Sequence, residues 1–342
     1  MNYLTKKVSK LAPYVAGMQP REQGWIKLNT NENPYPPSPK VAEALRQADL
    51  TDLRLYPDPV STSLCRAIAE KLNVNAENIF CGNSSDEILA LAYQAFLSGK
   101  KNVLTPDISY GFYPVWGKMY DVDLKCVPIG DDFAIDAEDY NDANGVILAN
   151  PNAPTGQALS LAAVEQIVQS NTRGVVIIDE AYIDFADCES AVGLIDKYEH
   201  LLVVRTFSKS YALAGLRVGF AVGSEKLLDG LERVKNAFNA YPVNRLSQIG
   251  AAAAIRDEAY FNAKCAAIIK TRKRVEGVLN CAPAQANFIF WEVADGSKMY
   301  AYFLENKILV RHWEHPRIRN HLRVTIGTPQ DMEEFVQCAK KF

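Results

Sequence analysis

Five short segments of this chain are apolar from end to end, and they constrain its fold more than any other feature. They cover residues 79–81, 146–148, 175–178, 201–204 and 218–222, and helical signals alternate with them. A strand that is apolar on both faces belongs to a parallel sheet covered by helices on both sides. The pattern therefore predicts an α/β fold with a mostly parallel central sheet.

The chain is also long enough for more than one domain. It has 342 residues, which is more than a single hydrophobic core usually serves. The alternation of strands and helices ends near residue 225, and a helical stretch followed by mixed strands comes after it. We assign residues 1–30 to an N-terminal arm and 31–230 to a large domain. Residues 231–342, with part of the arm, would form a smaller α+β domain.

Composition excludes several classes of partner. The net charge of -3 and the absence of runs of like charge argue against nucleic acid. No secretory signal is visible, and the apolar runs are too short to span a membrane. Seven cysteines without a CxxC pair indicate reduced thiols in the cytoplasm. The four histidines have no partners at zinc-site spacing, so no metal site is expected.

Polar side chains follow four of the apolar segments at the point where each segment ends. Because the carboxyl ends of parallel strands meet at one edge of a sheet, we expect these side chains to share a crevice. They are the turn at 82–86, Asn152, Asp179 with Tyr182, and Lys209 with Thr206 and Ser208.

Lys209 is the most informative of these residues. A lysine held where water is scarce loses its proton easily and becomes a nucleophile towards carbonyls. The hydroxyls of Thr206 and Ser208, with Arg217 further along the chain, suit a phosphate. An imine-forming amine beside a phosphate cradle suggests pyridoxal 5′-phosphate (PLP). Most lysines are solvated surface charges, so the hypothesis depends on the companions of Lys209.

Each companion has a role in PLP chemistry and a purely structural alternative. Asp179 would pair with the pyridine nitrogen and keep the ring an electron sink, or it would cap the next element. Asn152 and Tyr182 would donate to the phenolic oxygen of the cofactor, although an asparagine among prolines is often a plain turn residue. Tyr110 would stack on the pyridine ring, although an aromatic residue is more often part of a core.

The phosphate of the cofactor is expected at a junction between a strand, a turn and a helix. Free backbone N–H groups at a helix start bind phosphate, and here they belong to Ser84, Ser85 and Asp86. A simple helix cap is the alternative, because neither a GxGxxG nor a Walker sequence is present. Arg217 would complete the cradle, unless it forms a surface ion pair.

The chain resembles the fold-type I PLP-dependent aminotransferases and, within them, the histidinol-phosphate aminotransferase family. The resemblance rests on cofactor motifs at 150–156 (NPNAPTG), 179–182 (DEAY) and 208–217 (SKSYALAGLR). Two N-terminal stretches, 28–35 (LNTNENPY) and 54–59 (RLYPDP), resemble signatures of that family. The match extends over nearly the whole chain.

This resemblance implies an activity as well as a fold. It implies ping-pong transamination between histidinol phosphate and 2-oxoglutarate in histidine biosynthesis. Lys209 would form the internal aldimine and shuttle the proton, with Asp179 and Tyr182 as its catalytic partners. Tyr56 resembles a residue that reaches the cofactor phosphate of a partner subunit, so a homodimer with shared active sites is implied.

Two arginines are the main residues predicted to bind the substrate. Arg311 and Arg323 lie in segments that resemble those placing two arginines over the anionic group of the substrate, and guanidinium groups suit a phosphate or carboxylate. Asn33 and Tyr35 are expected to line the same pocket. Surface ion pairs are the structural alternative for both arginines.

Three alternative functions remain open from the sequence. They are an aromatic amino acid aminotransferase, a threonine-phosphate decarboxylase, and a silent PLP-binding homologue or regulator. Segments 239–244 and 312–317 depart from the family pattern, and both are expected to border the substrate. These departures affect the choice of substrate and leave the predicted PLP chemistry unchanged.

Overall fold

The structure is a computed structural model, and it describes residues 3–12, 14, 17–20 and 22–342. Its α-helices are α1 (Pro39–Gln47), α2 (Thr62–Leu72), α3 (Ser84–Ala92), α4 (Tyr113–Met119), α5 (Leu161–Ser170), α6 (Glu225–Phe238), α7 (Arg245–Ile255), α8 (Glu258–Leu279), α9 (Gly296–Glu305) and α10 (Pro329–Ala339). Its strands are β1 (Ile26–Lys27), β2 (Ile79–Gly82), β3 (Val103–Pro106), β4 (Leu124–Val127), β5 (Gly145–Ala149), β6 (Val176–Asp179), β7 (Leu201–Thr206), β8 (Gly219–Gly223), β9 (Phe288–Glu292), β10 (Ile308–Leu309), β11 (Arg311–His312) and β12 (His321–Thr325).

Seven strands form the central sheet, in the order β2-β8-β7-β6-β5-β3-β4. The five strands β7, β6, β5, β3 and β4 are parallel to one another. Both faces are buried, since Ile177 and Ile178 on β6 enter two separate hydrophobic cores. The predicted α/β fold with a mostly parallel sheet is therefore confirmed.

One of the predicted strands runs against the parallel set. The segment at 218–222 forms most of β8, which is antiparallel to both β7 and β2. Thr206 lies opposite Gly219, so the chain turns back after β7 through a connection that contains only a single 3-10 turn. A parallel pair needs a crossover, usually an α-helix, and none separates these two strands. The edge strand β4 and its neighbour β3 lie outside the predicted segments.

A second, smaller sheet lies in the C-terminal part of the chain. It is antiparallel, with the order β11-β12-β9, and a third hydrophobic core joins it to α8, α9 and α10. The short strand β1 pairs in parallel with β10, which connects the N-terminal segment to this part of the molecule.

The proposed division into domains stays a prediction. Residue 230 lies inside α6, and α7 packs against α1 and α2 of the larger part. The arm assigned to residues 1–30 includes positions 1, 2, 13, 15, 16 and 21, which lie outside the described residues. None of the helices in the described part is long and apolar enough to cross a membrane.

The packing of the central sheet makes a stability prediction. Ile177 is fully buried on β6, and truncation to alanine leaves a cavity between the sheet and its helices. We expect Ile177→Ala to lower the free energy of unfolding by about 2–5 kcal/mol. Val278→Ala, at a position that is 47% exposed, should change it by less than about 0.5 kcal/mol. Urea denaturation followed by circular dichroism measures both, and equal effects would contradict this packing.

Candidate active site

A cavity of about 360 Å³ opens at the carboxyl edge of the central sheet. The last residues of three parallel strands, Ala149, Asp179 and Thr206, form part of its wall. The sheet thus brings together most of the predicted cofactor residues. Those that line the cavity are Ser84, Ser85, Asp86, Tyr110, Asp179, Tyr182, Thr206, Ser208, Lys209 and Arg217.

Lys209 lies in the loop that follows β7 and is half-buried. Its Nζ donates a hydrogen bond to the carbonyl of Thr30 at 3.2 Å and lies 5.9 Å from the ring centroid of Tyr182. Its own backbone carbonyl accepts a hydrogen bond from Asn33 Nδ2 at 2.9 Å. The backbone of Lys209 is therefore held from outside the cavity while its amine faces the interior.

A buried ionic cluster supports the Lys209 loop from behind. Arg205, on β7, pairs with Asp184 and lies 4.0 Å from the carboxylate of Glu180. Ser210 Oγ donates to Asp184 Oδ2 at 2.6 Å, which ties the residue after Lys209 to the same cluster. The sequence alone assigns none of these residues a supporting role, and the only local signal is a charged arginine directly after an apolar segment.

Asp179 is a buried carboxylate without a cationic partner in the described part of the chain. Tyr113 Oη donates to Oδ2 at 2.9 Å and the backbone N–H of Ala181 donates to Oδ1 at 3.2 Å. Burial is the main cause that raises the pKa of Asp179, to about 7. A cation placed beside it would lower this pKa and stabilise the carboxylate. The protonated nitrogen of a pyridine ring fits this requirement.

The start of α3, where we predict that phosphate binds, lies very close to the backbone of β8. Ser84, Ser85 and Asp86 form the first turn of the helix, where backbone N–H groups have no partner within the helix. A Cβ at Gly219 would lie 2.4 Å from the nitrogen of Ser85, so only glycine allows β8 to approach this turn. The turn, the Thr206 and Ser208 hydroxyls and a guanidinium together suit a phosphate.

The side chain of Asp86 has a different role from its backbone. Its carboxylate accepts a hydrogen bond from Tyr110 Oη at 2.8 Å and pairs with the Arg217 guanidinium at 3.1 Å. Asp86 therefore orients an aromatic ring and a cation, and only its N–H group is available to an anion. Arg217 itself has a left-handed backbone conformation, with φ of 53°, at the end of a 3-10 turn.

Asn152 does not line the cavity. It is fully buried, and its Nδ2 donates to the carbonyl of Ile108 at 2.9 Å and to Thr155 Oγ1 at 3.1 Å. Its Oδ1 accepts a hydrogen bond from Ser109 Oγ at 2.7 Å. All the polar atoms of the side chain thus have protein partners, and its contact with a cofactor stays a prediction.

Three further predicted residues also lie outside the main cavity. Asn33 holds the backbone of Lys209, and Tyr35 lies under the ammonium group of Lys264, 4.6 Å from the ring centroid. Tyr56 is 79% exposed and stacks on Tyr241 with 4.6 Å between the ring centroids. A role for these residues in binding cofactor or substrate stays a prediction.

A second cavity, of about 190 Å³, adjoins the first and shares Tyr110 and Ala153 with it. Arg311 and Arg323 line it, and they lie directly opposite each other on β11 and β12. Neither guanidinium has a carboxylate partner among the described residues. Burial lowers the pKa of Arg323, whose Nε has no hydrogen-bond partner in the described part of the chain. An anion bound in this cavity would supply the opposite charge that these two cations lack among the described residues.

Comparison of the sequence with known proteins identifies the family to which this chain belongs. Residues 23–338 match the family described as aminotransferase class I and II. Histidinol-phosphate aminotransferase 1 of Hydrogenovibrio crunogenus is 50% identical over 337 residues, which are 96% of this chain and 94% of that protein. The protein of the same name from Bordetella parapertussis is 48% identical over 350 residues, 99% of this chain and 98% of that protein.

The fold has a close match among solved structures. The crystal structure of histidinol-phosphate aminotransferase from Sinorhizobium meliloti in complex with pyridoxal-5'-phosphate has a TM-score of 0.87 to this chain. It is 23% identical in sequence and covers 99% of this chain and 96% of its own. At that identity the likeness establishes the fold, which is that of the fold-type I enzymes.

The buried carboxyl of Asp179 predicts a pH dependence of stability. Its pKa is about 7 in the folded chain against 3.8 for an ordinary aspartate, so folding favours the protonated form. The favourable contribution of this carboxyl is therefore present below about pH 4 and is lost as pH rises to about 7. Without cofactor, we expect Asp179→Asn to gain stability relative to wild type between pH 5 and 8, by a few kcal/mol.

Urea denaturation of both cofactor-free proteins across this pH range measures the difference. Asp196→Asn, which removes an exposed carboxyl, is the control and should show a much smaller dependence on pH. A stability difference between wild type and Asp179→Asn that does not change with pH would contradict an unpaired buried carboxyl.

Proposed function

The chain belongs to the histidinol-phosphate aminotransferase family of class I and II aminotransferases, and we propose that it transfers the amino group of histidinol phosphate to 2-oxoglutarate with PLP as its cofactor. One observation supports this most directly. A cavity with an amine, an unpaired carboxylate and a phosphate cradle adjoins a second cavity with two unpaired guanidinium groups. The first matches the chemical groups of PLP, and the second matches the phosphate of an amino donor.

Residues of the first cavity would hold the cofactor by its three polar parts. Arg217, the hydroxyls of Thr206 and Ser208, and the N–H groups at the start of α3 would bind its phosphate. Asp179 would hold the pyridine nitrogen, and the ring of Tyr110 would lie against the face of the pyridine. When bound, PLP supplies a reactive carbonyl carbon and an electron sink for the substrate.

Tyr182 and Asn152 would contact the phenolic oxygen of the cofactor. Tyr182 Oη accepts a hydrogen bond from Asn31 Nδ2 at 2.9 Å, which leaves its own O–H free to donate into the cavity. Asn152 would have to exchange one of its present partners, and the Thr155 hydroxyl is the weaker of its two acceptors by distance.

The amine of Lys209 would act as nucleophile and then as base. The carbonyl of Thr30 accepts a hydrogen bond from Nζ and so fixes its direction. Once the amino donor has taken its place, Nζ would be free to take the proton from the Cα of the donor and to deliver it to the carbon that was the carbonyl carbon of the cofactor. With the second substrate, Nζ would move a proton in the reverse direction. Because donor and acceptor need the same amine and the same cavity, they would react in turn, as in a ping-pong mechanism.

Arg311 and Arg323 would bind the phosphate of histidinol phosphate. The relatives with 46–50% identity are named histidinol-phosphate aminotransferases, so an aromatic amino acid aminotransferase or a threonine-phosphate decarboxylase is not favoured. This substrate places the enzyme in histidine biosynthesis. Its seven cysteines are all free, which is compatible with the reducing cytoplasm.

We also propose that the enzyme is a homodimer. Tyr56 is highly exposed, and several large apolar side chains near it in sequence are exposed as well. An exposed apolar surface of this kind is typical of a protein interface. The exposed neighbours are Leu50, Leu53, Leu55 and Val60. In the dimer, Tyr56 would contact the cofactor phosphate bound to the other subunit.

Replacement of Lys209 tests the proposed chemistry. We expect Lys209→Ala to lose transamination, because no other amine lines the cavity in the described part of the chain. Borohydride should attach the cofactor covalently to wild type and not to the variant, as measured by mass spectrometry. Lys226→Ala, at an exposed surface ion pair, should behave as wild type. Substantial turnover by Lys209→Ala would refute the mechanism.

Replacement of Arg311 tests the proposed substrate. Loss of a charged hydrogen-bonding group costs about 1.5–3 kcal/mol, so Arg311→Ala should lower kcat/KM for histidinol phosphate by about 10- to 100-fold. Histidinol, which lacks the phosphate, should be used equally well by variant and wild type. Arg256→Ala, at an exposed position outside both cavities, is the control. Equal losses with both amino donors would show that Arg311 does not bind the phosphate.

A further inference from the structure

A single arginine joins the two sheets beside the second cavity. Arg317 lies in the connection between β11 and β12, residues 313–320, which we call the bridging loop. Its Nη1 donates to Asp107 Oδ2 at 2.9 Å, and its Nη2 donates to the carbonyls of Ile129 and Gly130 at 2.8 and 2.9 Å. These partners follow β3 and β4, so one guanidinium fastens the bridging loop to the ends of two strands of the central sheet.

A small hydrophobic cluster lies beneath this contact. Ile318 of the bridging loop packs with Ile108, Ile129 and Phe290, all of them buried, and Trp313 packs against the same cluster. The guanidinium and the cluster hold the loop in one position from two sides. Arg317 also neutralises Asp107, whose carboxylate would otherwise be an unpaired negative charge in the wall of the second cavity.

Trp313, at the start of the bridging loop, contacts both substrate arginines. The guanidinium carbons of Arg311 and Arg323 lie 5.6 Å and 5.4 Å from its ring. The two arginines face each other across β11 and β12, where like charges repel. The attraction of each cation to the face of the indole offsets part of that repulsion. The position of Trp313 therefore influences whether both cations face the same cavity.

We propose that Arg317 is a positioning residue for the anion cavity, acting through Trp313. By fastening the bridging loop to the central sheet, it holds the indole against Arg311 and Arg323 and so raises their joint affinity for phosphate. For the identity of the substrate this inference rests on the proposed function. For anion binding itself it rests only on the contacts of Arg317 and Trp313.

Phosphate binding by the holoenzyme tests the inference. Calorimetric titration with inorganic phosphate should show affinity reduced about 3- to 30-fold in Arg317→Ala and in Trp313→Ala, the range of one cation–π contact. Because Arg317→Ala also leaves Asp107 unpaired in the wall of the cavity, the double variant is compared in an Asp107→Asn background. There it should bind phosphate no more weakly than the variant that carries Trp313→Ala alone, because Arg317 acts through the indole. Arg319→Ala, an exposed arginine of the same loop, should stay within twofold of wild type.

Kinetics separate positioning from general damage to the fold. For histidinol phosphate, Arg317→Ala should raise KM by a similar factor while kcat and the visible spectrum of the cofactor stay close to wild type. Additive losses in the double variant, or an equal loss in Arg319→Ala, would overturn the inference. If wild type binds phosphate but does not use histidinol phosphate, the proposed function fails while the role of Arg317 stands.

Discussion

The hydrogen-bonded register of the central strands determines the candidate active site. Asp179, at the end of β6, lies opposite Ala149 on β5 and Val204 on β7. Because the three strands end at nearly the same level, the residues that follow them enter one cavity. A shift of one residue in β6 would turn its side chains to the opposite face of the sheet and remove Asp179 from that cavity. The position of Lys209 relative to Asp179 is thus set first by backbone pairing and only then by side chains.

Buried charges around the cavities are of two kinds. The Arg205 guanidinium and the carboxylates of Asp184 and Glu180 compensate one another, and this cluster supports the Lys209 loop. Asp179, which is buried, and Arg323, which is half-buried, have no opposite charge as a partner in the described part of the chain. A buried charge without a partner destabilises the folded protein by several kcal/mol. Such a charge is expected to be retained where it is needed to bind a ligand. The two unpaired groups have opposite signs, which suits a cationic ring nitrogen in one cavity and an anionic substrate group in the other.

Sequence patterns predicted the residues that follow strands better than the residues that support them. Apolar strands and their polar ends are local features, so the cavity around Lys209 and Asp179 could be predicted. Tyr113, which donates to Asp179, comes from a helix distant in sequence, and no local pattern marks such a contact. The apolar pattern does not give the direction of β8, which is determined by the short connection between β7 and β8. Arg317 lies in a segment that departs from the family pattern. Its contacts could not be predicted, because its partners are separated from it by almost 200 positions in the chain.

The two cavities differ in what holds their walls. The first is built from strand ends and a helix start, which hydrogen bonding of the whole sheet keeps in place. The second depends on two short strands and on the bridging loop, which the Arg317 guanidinium and a small hydrophobic cluster hold against the larger sheet. Substitutions in 312–317 can therefore reshape the second cavity while Lys209 and Asp179 remain in position. This difference gives a physical reason why motifs at the strand ends keep the family pattern in this chain while segment 312–317, beside the second cavity, departs from it.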